Sequence, residues 1–135
     1  MTDHISKERR SANMRAVGAR NTKPEITVRR LAHQMGYRFR LHRADLPGKP
    51  DLTFPKRRAV IFVHGCFWHG HDCKRGTPKP KNNADFWATK LARNVERDRR
   101  QLALLELSGW RALVVWECEL KPEAALKARL VGFLG

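Results

Sequence analysis

The sequence lacks any long hydrophobic run: its longest purely apolar stretches, Ala59–Val63 and Ala112–Trp116, are five residues each, against roughly 20 needed to cross a bilayer. The N-terminal segment has no hydrophobic stretch and no cleavage pattern, so secretion has no support and a reducing cytoplasm is the expected compartment. Cysteine is scarce and odd in number, three in all, which points to thiols as ligands or packing groups before disulfides. Acidic residues are few, 13 against 28 Lys+Arg. Internal repeats, low-complexity tracts and linkers are missing, so residues 1–135 read as one domain.

What is present is apolar material for a core and a large positive charge. The hydrophobic fraction of 41% and four Trp separate the chain from a basic disordered tail. Residues 1–100 hold 24 basic and nine acidic side chains and residues 101–135 hold four of each, so the net +15 lies wholly in the first hundred. A phosphate polyanion is the partner this implies, because neutralising its backbone releases counterions. A membrane surface fits less well, since no segment pairs a basic face with a long exposed apolar one.

Thr22-Lys23-Pro24-Glu25 reads as a capping box opening a helix through Val28, Leu31, Ala32 and Met35, stopped by Gly36. Tyr37–Leu41 alternates as a half-buried strand, and Pro47–Pro50 is a turn. Asp51–Phe54 and Ala59–His64 flank a short basic connection and predict a hairpin, its second strand central. A long aperiodic loop, 65–83, follows. Asp85–Leu107 predicts a long basic helix with an inner stripe of Trp87, Leu91, Val95, Asp98, Leu102 and Leu105. Arg111–Glu119 predicts a third buried strand, and Pro122 opens a closing helix carrying Leu126, Leu130, Phe133 and Leu134. This order gives an α/β fold, a mixed sheet flanked by helices.

The loop holds Cys66, His69, His71 and Cys73 within eight residues, and Cys118 lies near the last strand. Structural Zn²⁺ takes four soft or borderline ligands, and three Cys with one of these histidines supply such a set. Phosphodiester hydrolysis needs a cation, an activated water and a stabilised leaving oxygen. Asp51 is suited to hold the cation, and the hairpin brings it near His64. His69 is suited to act as general base. Asp98, a carboxylate on an apolar stripe, calls for a basic partner or a hydrated cation. Phe67, Trp68 and Trp87 lie among basic residues and are either core or wedges between bases; adjacent Phe67 and Trp68 cannot share one face.

Taken together, Arg10–Met14, Asn21–Glu25, Leu46–Asp51, Val60–Cys73 (VIFVHGCFWHGHDC), Gly109–Arg111 and Val114–Cys118 resemble the very short patch repair endonucleases, a zinc-containing branch of the restriction-endonuclease-like nucleases. The resemblance implies that fold, with one structural zinc site. It implies a Mg²⁺-dependent nick 5′ of the thymine in a T·G mismatch left by deaminated 5-methylcytosine. Carried over by position, Asp51 and the Val63 carbonyl hold Mg²⁺, His64 and Asp98 hold metal-bound waters, His69 is the general base and Glu25 supports it or the hydrated ion. Cys66, His71, Cys73 and Cys118 take zinc; Phe67, Trp68 and Trp87 wedge from the major groove and Met14 from the minor, with residues 1–20 as a DNA-contacting arm. A monomer on double-stranded DNA at the nucleoid is implied, with mismatch-repair proteins as further candidate partners.

Against the wider nuclease pattern, which follows its Pro-Asp with an acid, a spacer and a lysine, the second strand offers Phe62 and His64. The repair branch shares that substitution. Two other readings remain: a zinc-stapled DNA-binding module without catalysis, and a site-specific restriction nuclease cutting both strands.

Overall fold

The computed structural model describes residues 22–66, 69, 71 and 84–135. Helix α1 (Lys23–Gln34) starts where Thr22 accepts a hydrogen bond from the Glu25 backbone N–H at 3.3 Å, with Pro24 in the first turn. The Glu25 carboxylate does not stay at the cap: it turns to His42 and Arg29. The helix closes at Gly36 (φ 88°), where the Gly36 and Tyr37 N–H groups donate to the His33 and Ala32 carbonyls.

Closing the helix uses the Tyr37 N–H, and only Arg40–Leu41 of the expected 37–41 strand pairs, as β1. The inward alternation holds for Tyr37 and Phe39, edge-on to Phe54, but not for Leu41, which is exposed. Strands β2 (Leu52–Phe54) and β3 (Ala59–His64) form the predicted antiparallel hairpin, Leu52 opposite Ile61, around a 3-10 turn at Pro55–Arg57. Helix α2 (Ala84–Leu107) then crosses over to β4 (Arg111–Trp116), which runs parallel to β3 from Ala59↔Arg111 to His64↔Trp116. The sheet order is β1-β2-β3-β4, so β3 is central, as predicted. Helix α3 (Glu123–Leu134) ends the chain's described part, with Leu126, Leu130 and Leu134 buried and Phe133 half-buried.

Alternation along β3 feeds two cores. Ala59 and Ile61 join Val28, Leu31, Leu52, Phe54, Val115, Leu126 and Leu130 on the α1/α3 face. Val60 and Phe62 join Leu105 and Trp110 on the α2 face. His64 follows Phe62 in that phase, its ring 5.7 Å from the Phe62 ring, and so comes out on the α2 side.

Two expectations are corrected. Val95 is 45% exposed, not part of an inner stripe; α2 meets the sheet core through Leu102 and Leu105, in its C-terminal half. The last strand ends at Trp116, not Glu119, because the Trp116 N–H donates to Glu119 Oε1 at 2.9 Å and the chain turns through a 3-10 segment at Glu117–Glu119. Among the described residues no helix is long and apolar enough to cross a membrane.

The turn before Asp51 is tightly seated. Gly48 has φ 79°, and a Cβ there would lie 3.0 Å from the Phe62 ring and the Gln101 side chain. Gly48→Ala therefore combines a left-handed backbone with a clash against a packed ring. We expect a loss of about 1–3 kcal/mol, read as a lower denaturation midpoint. An unchanged midpoint would contradict that seating.

Candidate active site

Asp51 immediately precedes β2, at the sheet end where β3 finishes. Its Oδ2 accepts the Val63 backbone N–H at 2.7 Å, tying the carboxylate to β3. Burial pushes the Asp51 carboxyl up to about 7, with the nearby Glu25 carboxylate adding to the rise and the Val63 N–H and His42 opposing it. Glu25, its side chain 2% exposed, places Oε2 at 2.8 Å from His42 Nε2 and 3.3 Å from Arg29. The ligand atoms of Glu25, His42 and Asp51 lie within 4.8 Å of one another.

Across the site, His64 and His69 stack almost parallel, 3.7 Å between centroids and 2° between planes. His69 Nδ1 stands 2.5 Å from Asp98 Oδ2, so α2 delivers its carboxylate to the loop histidine. Burial pushes the Asp98 carboxyl up, but the hydrogen bond and charge of His69 outweigh it and hold Asp98 below the usual carboxylate range. Burial lowers His64 to about 3, helped by His69. His64 is thus neutral at pH 7, and its buried Nδ1 has no hydrogen-bond partner among the described residues.

Behind these rings a second donor set gathers where β3 and β4 end. Cys66, His71 and Cys118 place their ligand atoms within 4.8 Å of one another. The His71 N–H donates to the Cys66 carbonyl at 2.9 Å, and His71 Nδ1 is 3.5 Å from Cys118 Sγ. Trp116 divides the two groups: His71 stacks on it at 4.0 Å, and His64 meets it edge-on at 5.1 Å.

The structure therefore brings Glu25, Asp51, Val63, His64, His69 and Asp98 to one end of the sheet, with Cys66, His71 and Cys118 adjoining. Met14, Phe67, Trp68, Cys73 and the 1–20 arm lie outside the described residues. Trp87 is half-buried on α2, edge-on to Phe86 at 5.4 Å, with Lys90 Nζ 5.5 Å from its ring centre.

Sequence reading missed His42 and Trp116. His42 follows β1 with φ 49° and donates its N–H to the Asp51 carbonyl at 3.2 Å; a lone histidine in a basic loop carries no periodic signal. Trp116 read as a strand residue, and only the parallel register opposite His64 shows its second use.

The chain matches the family model described as DNA mismatch endonuclease Vsr over residues 2–75. It is 55% identical to the type II nicking enzyme V.XorIIP of Xanthomonas oryzae pv. oryzae, over 99% of this chain and 98% of that protein. It is 46% identical to the DNA mismatch endonuclease Vsr of Escherichia coli K12, over 93% and 80% respectively. Its fold is similar to the catalytic domain of the homing endonuclease I-Bth0305I, with a TM-score of 0.59, 23% identity, and 84% of this chain and 94% of that one covered. A carboxylate and histidine cluster at one end of a mixed sheet, in a chain this close to nicking enzymes, leads to one assignment: the protein is a DNA endonuclease and belongs to the Vsr family.

Proposed function

We propose that this endonuclease nicks one strand of duplex DNA on the 5′ side of the thymine in a T·G mismatch, with Mg²⁺ as its catalytic ion. The observation that carries the reading is the meeting of Asp51, His64, His69 and Asp98 at one sheet end, in a chain similar to a DNA mismatch endonuclease.

The residues fit the ion. Asp51 is a mostly buried carboxylate beside the buried Glu25, an environment a divalent cation would relieve, and hard cations take oxygen ligands. Asp51 and the Val63 carbonyl would hold it, with Glu25 and the orphaned His64 Nδ1 as partners for its hydration shell. When bound, Mg²⁺ stabilises the charge that develops on the scissile phosphate.

The chain's own groups do the rest. Asp98 takes the Nδ1 side of His69 and orients its ring, which leaves Nε2 as the basic nitrogen. His69 accepts the proton of the attacking water at that atom. His64, neutral and stacked on His69, packs against one face of that ring without adding charge.

Two sulfurs and an imidazole suit zinc. Cys66, His71 and Cys118 would hold it, with Cys73 as fourth ligand. Discrimination falls to Phe67, Trp68 and Trp87 from the major groove and Met14 from the minor, since a mismatched step unstacks at less energetic cost than a paired one.

The test is nicking of duplexes labelled on each strand, carrying T·G or T·A at one position, with and without Mg²⁺. The expected result is one cut, in the thymine strand of the T·G duplex, only with Mg²⁺. Cutting of both strands of the paired duplex would support the restriction reading, and tight binding without cutting the non-catalytic one. His69→Ala should lower the nicking rate by about 10²–10⁴-fold with DNA affinity retained; an unchanged rate would remove His69 from its role.

A further inference from the structure

Beside its carboxylates the proposed cation site has a nitrogen donor, His42. His42 brings Nε2 to 2.8 Å from Glu25 Oε2, and its backbone N–H is anchored on the Asp51 carbonyl at 3.2 Å. A left-handed φ of 49° is uncommon for a residue with a side chain. From that backbone the ring reaches the Glu25 carboxylate. Ligand atoms from Glu25, His42 and Asp51 lie within 4.8 Å of one another. Two donors 2.8 Å apart stand near the separation of about 3 Å that neighbouring ligands of one octahedral ion adopt.

The donor chemistry sets the preference. Mg²⁺ keeps several waters and binds through carboxylates, whereas imidazole favours later first-row ions, and affinity at such sites rises from Mn²⁺ towards Cu²⁺. We propose that, when the site takes a divalent transition ion such as Co²⁺, His42 and Glu25 bind it directly beside Asp51, so that the site holds such an ion more tightly than Mg²⁺, around which Glu25 meets only the bound waters. The inference rests on the reading of Asp51 as the cation-holding residue. Its rival is that His42 merely pairs with Glu25 and steadies it.

The test is calorimetric titration of the zinc-loaded full-length protein with Co²⁺ and with Mg²⁺, for the wild type, Asp51→Asn and His42→Ala. Near-ultraviolet thiolate–cobalt absorption identifies any Co²⁺ that enters the cysteine set, and circular dichroism checks folding. The expected result is one Co²⁺ lost in Asp51→Asn and weakened about 10–100-fold in His42→Ala, while His42→Ala changes Mg²⁺ affinity by no more than about threefold. A His42→Ala protein that loses equal affinity for both ions overturns the proposal in favour of the steadying role. One that loses none overturns it outright while Asp51 keeps its place. Co²⁺ binding that survives Asp51→Asn overturns both.

Discussion

Asp51→Asn is expected to abolish nicking, by about 10³-fold or more, while making the protein more stable when no divalent cation is added. The two effects share a cause. Burial raises the Asp51 carboxyl from its ordinary 3.8 to about 7, so the fold favours the protonated form. Below about pH 4 both folded and unfolded chains carry the proton. Between pH 4 and 7 the unfolded chain releases it and the folded one retains it, so stability falls as pH rises through this window and stays at its low value above it. Asparagine keeps an oxygen for the Val63 N–H and removes the charge. The upper bound on the gain at pH 8 is about 4 kcal/mol, and the expected rise in melting temperature is roughly 5 °C or more, vanishing near pH 4. Melting curves of both proteins at pH 4 and pH 8, beside a nicking assay, check this. An equal difference at both pH values would remove the linkage, and retained nicking would remove Asp51 from the chemistry.

Cys118→Ser should have the larger structural effect. Cys118 lies in the turn after β4, whereas Cys66 and His71 follow β3, so a zinc ion held by all three joins two strand ends of the sheet. Structural zinc supplies folding energy outright. Losing one thiolate should cost about 3 kcal/mol or more, with zinc content falling well below one per chain. Elemental analysis and melting temperature measure the two consequences. Purified wild-type protein without stoichiometric zinc would refute the assignment, as would a Cys118→Ser protein that melts unchanged. Nicking should fall as well, because Trp116, which stacks on His71, also borders His64.

Much of the fold was legible because it rests on local signals. The Thr22 cap, the apolar run of β3 and the leucine spacing of α3 each state an element within one segment of sequence. The errors fell where tertiary contacts decide. Val95 has helical phase but lies where α2 has left the sheet core, and β4 stops at Trp116 because a carboxylate three residues on captures its N–H. The pairing of Asp98 with His69 was legible only as a demand, an inward carboxylate needing a partner; the partner's identity is a matter of packing. His42 was invisible for the same reason, since its neighbours Glu25 and Asp51 are separated from it in sequence by a helix and a turn.

The parallel pairing of β3 with β4 has a kinetic side. Its partners, Ala59 with Arg111 through His64 with Trp116, stand about 50 residues apart in sequence, the kind of long-range closure that folds slowly because chain entropy is lost before contacts repay it. Cys66 and His71 sit on one side of that closure and Cys118 on the other. The three-donor set therefore comes together only when the crossover through α2 is complete, so a metal ion held by all three would act as a latch on that long-range pairing.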